Sequence, residues 1–354
     1  MAHRSSICTV SLGRACAGHT LPHKLDMARK YGFEGIELFY EDLVDFSNVT
    51  YGDASAESQI AAAGLVRELC EARGLEIICL QPFMHYEGLV DRQRHQERIE
   101  EMHLFVELVH ALGTDLILLP SSNLPAEQMT TDMSLIVDDM AEVADIGAAA
   151  EPPVRFAFEA LCWGTRVDTW DGSWDIVQRV NRKNFGLCID TFNLTGRIYA
   201  DPTQISGCTP DCEQAVRESL AAMVASVPVE RIFLLQVADA ELLSQPMSPK
   251  HPFYNPEQPP RMSWSRNARL FYGESSYGGY LPVYAVLKTV VQDLGFTGWL
   301  SFEVFNRRLA DKDGSVPEEM ASRAALSFEK MTNDLKLNVA SKQLYKAEEP
   351  RPML

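Results

Sequence analysis

Short apolar runs alternate with longer amphipathic segments along most of the chain. The short runs are rich in β-branched and aliphatic residues, which is typical of strands. In the longer segments apolar residues recur every three or four positions, as Leu104, Leu108 and Leu112 do, which is typical of helices. Eight strand-like runs occur, at 7–12, 35–39, 75–81, 115–121, 154–159, 185–190, 231–238 and 299–304.

Repeated strand and helix units predict an α/β fold with a parallel sheet. Eight such units favour a closed (β/α)8 TIM barrel, and an open doubly wound sheet with fewer strands is the alternative. We expect one barrel domain over 1–337 and a loosely ordered, polar tail over 338–354. The predicted helices are 56–73, 95–112, 135–149, 213–226, 282–294 and 317–335.

A long connection after the seventh strand, residues 241–280, interrupts this rhythm and contains six prolines. Connections of this length are usually functional, and we interpret this one as a lid. Its segment MSWSRNARLFYGE places Ser265, Arg266 and Arg269 within one helical turn, where they could hold one carboxylate. The alternative is that both arginines are solvated and pair with the protein's own acids.

The formal net charge of -17 argues against a nucleic-acid partner, because binding phosphates requires a positive surface. An anionic small-molecule substrate would therefore need a local arginine cluster. No apolar run is long enough to span a membrane, and the N-terminal segment has no signal-peptide pattern. With eight scattered cysteines, these features predict a cytoplasmic protein, with homo-oligomerisation left open.

Oxygen-bearing side chains lie at the ends of four successive predicted strands: Glu159, Asp190, Gln236 and Glu303. In a barrel of this kind the strand C-termini form the active-site face, so these side chains are expected to converge. Converging buried carboxylates repel each other unless a cation lies between them. Oxygen ligands favour Mg²⁺ or Mn²⁺, with Co²⁺ also possible. The alternative is that each acid caps a helix or pairs with an arginine.

Further candidates follow the second and third strands. Gln81, His85 and Glu87 lie at or just past the end of the third strand, and Glu37 and Glu41 belong to the second strand region. An imidazole titrates near neutral pH, so His85 could act as a general base or acid, although most lone histidines are structural.

A resemblance to a known enzyme family is concentrated in five segments: FEALCWGTRVDTW, CIDTFNLTGRIYADPT, QVADAE, MSWSRNARLFYGE and SFEVFN. Through them the sequence resembles fungal 3-dehydroshikimate dehydratases of quinate catabolism, in the xylose isomerase-like TIM-barrel superfamily. The resemblance is nearly full-length. It implies a metal-dependent lyase that removes water from 3-dehydroshikimate and forms protocatechuate, without the second, dioxygenase-like domain of some bacterial forms.

The resemblance also implies roles for individual residues. It makes Glu159, Asp190, Gln236 and Glu303 the metal ligands, the set already reached from the strand ends. It further implies that Ser265 and Arg269 contact the substrate carboxylate; Gln81, Asn193 and Arg266 are further candidates for substrate contacts.

One position departs from the family pattern. Bacterial members carry a histidine, a proposed catalytic base, three residues after the metal-binding aspartate, where this chain has Asn193. We therefore expect His85, and after it Glu41, to act as the base. The rival functions are a metal-dependent sugar or polyol isomerase on the same barrel, a barrel nuclease, and a non-catalytic protein that binds an organic acid.

Overall fold

The computed structural model describes residues 3–338 and contains the predicted closed parallel barrel. The barrel strands are β1 (Arg4–Cys8), β2 (Gly35–Phe39), β3 (Glu76–Gln81), β4 (Leu116–Pro120), β5 (Arg155–Glu159), β6 (Phe185–Asp190), β7 (Ile232–Val237) and β10 (Trp299–Phe302); β8 (Asp239–Ala240) and β9 (Arg269–Leu270) form a separate pair. The barrel order is β1-β10-β7-β6-β5-β4-β3-β2, and β1 pairs with β10 to close the ring. Apart from Asn338, the predicted loose tail lies outside the described residues.

Helices follow the strands and cover the outside of the barrel. They are α1 (Leu21–Lys30), α2 (Tyr40–Tyr51), α3 (Ala56–Glu71), α4 (Arg92–Leu112), α5 (Met133–Ala149), α6 (Trp170–Val180), α7 (Thr191–Ile198), α8 (Cys212–Ser226), α9 (Pro260–Ala268), α10 (Val283–Lys288) and α11 (Val316–Asp334). The six predicted helices correspond to α3, α4, α5, α8, α10 and α11. The other five helices were not predicted.

Two predicted elements differ from the structure by more than one or two end residues. The first strand is Arg4–Cys8, and the predicted continuation to residue 12 is a 3-10 turn, Thr9–Leu12. All four residues of this turn are buried, so the apolar pattern runs across the true end of the strand. The helix predicted at 282–294 consists of α10 followed by a π-helical turn, Thr289–Asp293.

The barrel interior changes character along the strands. Its apolar part is a small cluster that includes Ala157, Cys188 and Leu234. Two residues further along the same strands stand Glu159, Asp190 and Gln236. Because side chains alternate between the two faces of a strand, these polar residues also face the interior, one layer nearer the C-terminal rim. A larger apolar core packs between the strands and the helices.

The long connection after β7 is partly folded. It contains α9 and the two-residue strand β9 (Arg269–Leu270), which pairs antiparallel with β8 (Asp239–Ala240), the strand that immediately precedes the connection. The side chain of Asp239 accepts hydrogen bonds from the backbone N–H groups of Ala240, Tyr280 and Leu281, at 2.7–3.1 Å. One carboxylate thus connects both ends of the segment. Over residues 3–338, no helix combines the length and apolarity that crossing a membrane requires.

Candidate active site

Three carboxylates meet at the C-terminal rim of the barrel. Glu159 ends β5, Asp190 ends β6, and Glu303 follows β10 directly. All three are buried, and their ligating oxygens lie within 4.8 Å of one another. The structure therefore brings together the three acids that the strand-end pattern singled out.

The fourth predicted ligand, Gln236, lies in β7 and is fully buried. Its Nε2 donates to Oε2 of Glu37 at 2.8 Å. Gln81 Nε2 donates both to Glu303 at 2.8 Å and to Glu37 at 3.1 Å, and the hydroxyl of Ser301 also donates to Glu37. Glu37 thus holds the amides of Gln236 and Gln81, and Gln81, expected to contact substrate, here orients two carboxylates.

Burial raises the proton affinity of this cluster. The pKa of Glu159 lies well above its usual range because the carboxyl is desolvated and because Glu303 and Asp190 repel its charge. The pKa of Glu37 is raised to about 8, first by burial and then by Glu303. Burial likewise raises the pKa of Glu303. The ionised forms of these acids are therefore costly unless a cation compensates them.

Arg269 supplies part of that compensation. Its side chain is 1% exposed, and its Nη1 donates to Asp190 at 2.8 Å and to Glu303 at 3.0 Å. Its Nε donates to the hydroxyl of Ser265 at 2.9 Å, and its guanidinium lies over the ring of Phe192. The residue expected to hold a substrate carboxylate is thus already engaged with two of the protein's own carboxylates.

Asn193 lies one helical turn after Asp190, at the start of α7. Its Nδ2 donates to Glu159 at 2.6 Å and to Asp190 at 2.8 Å, while its Oδ1 accepts from the backbone N–H of Cys162 at 3.1 Å. Both polar atoms of this amide are therefore in use. In this structure Asn193 orients two predicted metal ligands.

A cavity of about 370 Å³ opens over the carboxylates. Glu159, Glu303 and Arg269 line its inner part, and Arg14, Arg266 and Trp163 also contribute to its wall. Arg266 and Ser265 were predicted to face the substrate, and both line this cavity. Its volume suits a single small ring compound.

The two predicted bases, His85 and Glu41, lie outside the lining of this cavity. His85 has a positive φ of 59° and its Nδ1 lies 3.1 Å from the hydroxyl of Ser122. Burial, followed by the charges of Arg98 and Arg94, lowers its pKa to about 4. Glu41 forms an ion pair with Arg14. Neither His85 nor Glu41 is among the residues that line the cavity, whereas Met84 and Arg14 are.

Among the cavity-lining residues that sequence reasoning missed, Arg14 and Trp163 are the two whose side chains carry hydrogen-bond donors. Arg14 follows the 3-10 turn after β1, and Trp163 lies in the loop after β5. A search of every segment that follows a strand, rather than of strand ends alone, would have included both.

The donor set fits a divalent cation. Glu159, Asp190 and Glu303 offer converging carboxylate oxygens. Gln236 donates its amide N–H to Glu37, and its Oε1 accepts only the weak thiol hydrogen bond of Cys188 at 3.4 Å, so this oxygen keeps a lone pair for a metal. Glu37 adds a further buried carboxylate beside them, and Arg269 bonds to both Asp190 and Glu303. Oxygen-only ligands in this number are typical of hard divalent ions.

Comparison with known proteins agrees with this architecture. Residues 25–330 match the family described as xylose isomerase-like TIM barrel. The chain is 54% identical over 345 residues to a 3-dehydroshikimate dehydratase of Neurospora crassa, with 96% of each protein covered. It is 34% identical over 304 residues to a 3-dehydroshikimate dehydratase of Pseudomonas aeruginosa, covering 85% of this chain and 38% of that protein.

Solved structures extend the likeness to the fold. A xylose isomerase-like TIM barrel/4-hydroxyphenylpyruvate dioxygenase fusion protein superimposes with a TM-score of 0.71 at 25% identity, over 99% of this chain and 47% of that one. The IOLI protein, whose structure has a bound zinc atom, superimposes with a TM-score of 0.66 at 18% identity, over 96% of this chain and 100% of that one. The chain belongs to the xylose isomerase-like TIM barrel family.

Proposed function

We propose that this protein is a 3-dehydroshikimate dehydratase, a lyase that removes water from 3-dehydroshikimate to give protocatechuate. The observation that best supports this function is a group of three buried carboxylates, Glu159, Asp190 and Glu303, beneath a cavity whose wall contains arginines. This site occurs in a chain that is 54% identical, over 96% of its length, to the Neurospora dehydratase.

We propose that Glu159, Asp190, Gln236 and Glu303 hold a divalent ion, of which Mg²⁺, Mn²⁺ and Co²⁺ suit oxygen ligands best. When bound, the ion supplies Lewis-acid polarisation of the C3 ketone, which acidifies the hydrogen at C4. Around it, Asn193, Gln81 and Glu37 keep the ligands oriented through their hydrogen bonds.

The chain's own groups must then hold the ring and move the protons. Guanidinium groups in the cavity wall bind the C1 carboxylate and fix the reacting carbons. A base removes the C4 proton, the C5 hydroxyl leaves with a proton as water, and loss of a C6 proton completes the aromatic ring. Because aromatisation is strongly favourable, the reaction runs in one direction.

His85 remains our first candidate for the base, and Glu41 the second. His85 is adjacent to Met84, which lines the cavity. With its pKa lowered to about 4, its ring is neutral at pH 7 but is a weaker base than a free imidazole, so catalysis by His85 requires its pKa to rise when substrate binds. If this assignment is correct, His85→Ala lowers turnover by roughly 100-fold or more without weakening metal binding.

The function is tested by mixing the purified, metal-supplemented protein with 3-dehydroshikimate and following the ultraviolet absorbance of the aromatic product. We expect protocatechuate to form, and Glu159→Gln to abolish its formation while the variant stays folded by circular dichroism. No product from the wild-type protein with any of the three ions would refute the proposal. Conversion of sugars or polyols instead would indicate an isomerase.

A further inference from the structure

Arg14, Arg266 and Arg269 contribute guanidinium groups to the cavity wall, and their surroundings differ. Arg269 is buried and bonded to Asp190 and Glu303. Arg266 lies on α9 with part of its side chain exposed and its guanidinium at the cavity wall, and among residues 3–338 no ion pair joins it to an acid. Arg14 is half-buried in the loop after β1 and pairs with Glu41. Arg14 and Arg266 are therefore the positive groups with capacity left for a ligand.

Two buried donors in this wall have no partner. Within residues 3–338, Nε of Arg14 and Nε1 of Trp163 are both buried and make no hydrogen bond. Both residues line the same cavity. Buried polar groups are nearly always paired, and an unpaired one costs about 1–3 kcal/mol, so two unpaired donors at one cavity indicate a ligand that accepts hydrogen bonds.

The charges around the outer wall point to an anion. Arg14 and Arg266 are close enough that the charge of Arg14, after burial, contributes to lowering the pKa of Arg266. Glu41 pairs with Arg14 and lies outside the cavity lining. The protein has a net charge of -17, so an anionic substrate requires a locally positive electrostatic potential at its site. Two guanidinium groups that face one cavity supply it.

We infer that Arg14 binds the substrate carboxylate together with Arg266, with Trp163 as an additional donor to the same ligand, and that Glu41 positions Arg14. This inference rests on the proposed function, because that function supplies the carboxylate. Arg269 then neutralises the protein's own carboxylates, Asp190 and Glu303. Arg14 and Arg266 together bind the substrate carboxylate, and we call this pair the clamp. A guanidinium suits this task because its fixed fork matches the two oxygens of a carboxylate.

Calorimetry on the metal-loaded protein tests the clamp with two ligands. Protocatechuate carries the carboxylate and the vicinal diol, whereas catechol carries the diol alone. We expect Arg14→Gln to weaken protocatechuate binding about tenfold or more and to change catechol binding less than about twofold. Arg14→Lys should recover part of the loss, since it keeps the charge without the fork.

The matched control is Arg67→Gln, because Arg67 lies on α3, pairs with Glu71 and does not line the cavity. It should bind both ligands as the wild type does. An equal effect of Arg14→Gln on both ligands, or no effect on either, would overturn the assignment of Arg14. Circular dichroism and thermal melting of each variant separate loss of binding from loss of fold.

A double-mutant cycle tests the role of Glu41. If Glu41 acts only by positioning Arg14, Glu41→Gln should raise KM more than it lowers kcat, and the double variant Arg14→Gln/Glu41→Gln should match Arg14→Gln alone. Additive losses would show that Glu41 acts independently and would refute its positioning role. Failure of the wild type to convert 3-dehydroshikimate would count against the proposed function, while the comparison of the two ligands would still decide the clamp.

Discussion

Arg269 shows how one residue can partly neutralise a cluster of buried carboxylates. Its guanidinium bonds to both Asp190 and Glu303 and is itself almost fully buried. Removing one partner of a buried ion pair leaves an uncompensated charge, which typically costs 3–5 kcal/mol. The arginine is therefore expected to contribute to stability as well as to activity.

We predict that Arg269→Met lowers the free energy of unfolding of the metal-free, chelator-treated protein by about 3–5 kcal/mol. Urea denaturation in the presence of a chelator measures this change. The exposed ion pair of Arg182 with Asp145 provides the control, and Arg182→Met should cost less than about 1 kcal/mol. A variant at 269 as stable as the wild type would mean that its guanidinium does not neutralise the cluster.

Glu87 is a buried acid outside the predicted ligand set. Its Oε1 accepts from the backbone N–H of Ser122 at 2.6 Å, and its Oε2 has no hydrogen-bond partner among residues 3–338. Burial is the main cause that raises its pKa from 4.5 to about 8. The folded protein thus keeps a proton that the unfolded chain releases above pH 4.5.

This difference predicts the sign of a pH dependence. Because the unfolded chain binds fewer protons between the two pKa values, Glu87 makes stability fall as pH rises from about 4.5 to about 8. The slope is at most ~1.4 kcal/mol per pH unit. Glu37, Glu159 and Glu303 also have raised pKa values and contribute slopes of the same sign. Glu87→Gln keeps an acceptor for Ser122 and should make the slope measured by urea denaturation shallower without abolishing it, whereas Glu68→Gln, at an exposed position on α3, should leave the slope unchanged. An unchanged slope in Glu87→Gln would assign it to other groups.

At the scale of elements, regularity decides what the sequence reveals. Gly35–Phe39 and Phe185–Asp190 were predicted to the residue, because each is a short apolar run bounded by polar segments. The strand-end acids were found for the same reason, since alternation determines which side chains face the barrel interior. Arg14 was missed because it follows an irregular turn, where no periodicity indicates direction.

The unpredicted helices have local features that hide them. α6 contains a glycine and two tryptophans, and α7 contains two threonines and a glycine, all poor helix formers. α7 also begins directly after β6, capped by the side chain of Asp190, which accepts from Phe192 N–H at 2.7 Å. Tertiary packing rather than propensity stabilises these helices, so their sequences alone could not reveal them.

At the scale of elements, the anchoring of the long connection 241–280 by Asp239 can be tested directly. Asp239 bonds to backbone N–H groups at both ends of this segment, which carries Arg266 and Arg269 on and next to α9. We predict that Asp239→Ala loosens the segment, accelerates amide hydrogen exchange over 241–280 and raises KM about tenfold. Exchange should stay unchanged in β3 and α4, away from the segment.

The control for this experiment is Asp175→Ala, which removes an exposed carboxylate on α6 that pairs with Arg179. It should leave exchange over 241–280 at the wild-type rate. Equal exchange in the Asp239→Ala protein would show that the paired strands β8 and β9 hold the segment without the carboxylate, and the prediction would be wrong.

At the scale of the whole molecule, the buried carboxylates at the C-terminal rim of the barrel lower the stability of the fold. Glu159, Asp190 and Glu303 lie at the C-terminal ends of three different strands, and their mutual repulsion opposes closure of the barrel. A ligand that binds only the folded state stabilises it in proportion to its concentration. A bound divalent ion should therefore act as a global stabiliser, since it joins three or four strands at once.

We predict that the melting temperature of the chelated protein rises with added Mg²⁺, Mn²⁺ or Co²⁺, by an amount equivalent to about 4 kcal/mol at a thousand times the dissociation constant. The same additions should restore activity that the chelator abolishes. Differential scanning calorimetry across an ion titration measures the shift. Glu159→Gln removes one ligand and one repulsive charge. Without ion this variant should therefore melt at a higher temperature than the wild type, and added ion should raise its melting temperature less. A melting temperature independent of ion concentration, together with full activity after exhaustive chelation, would exclude a metal from the carboxylate site.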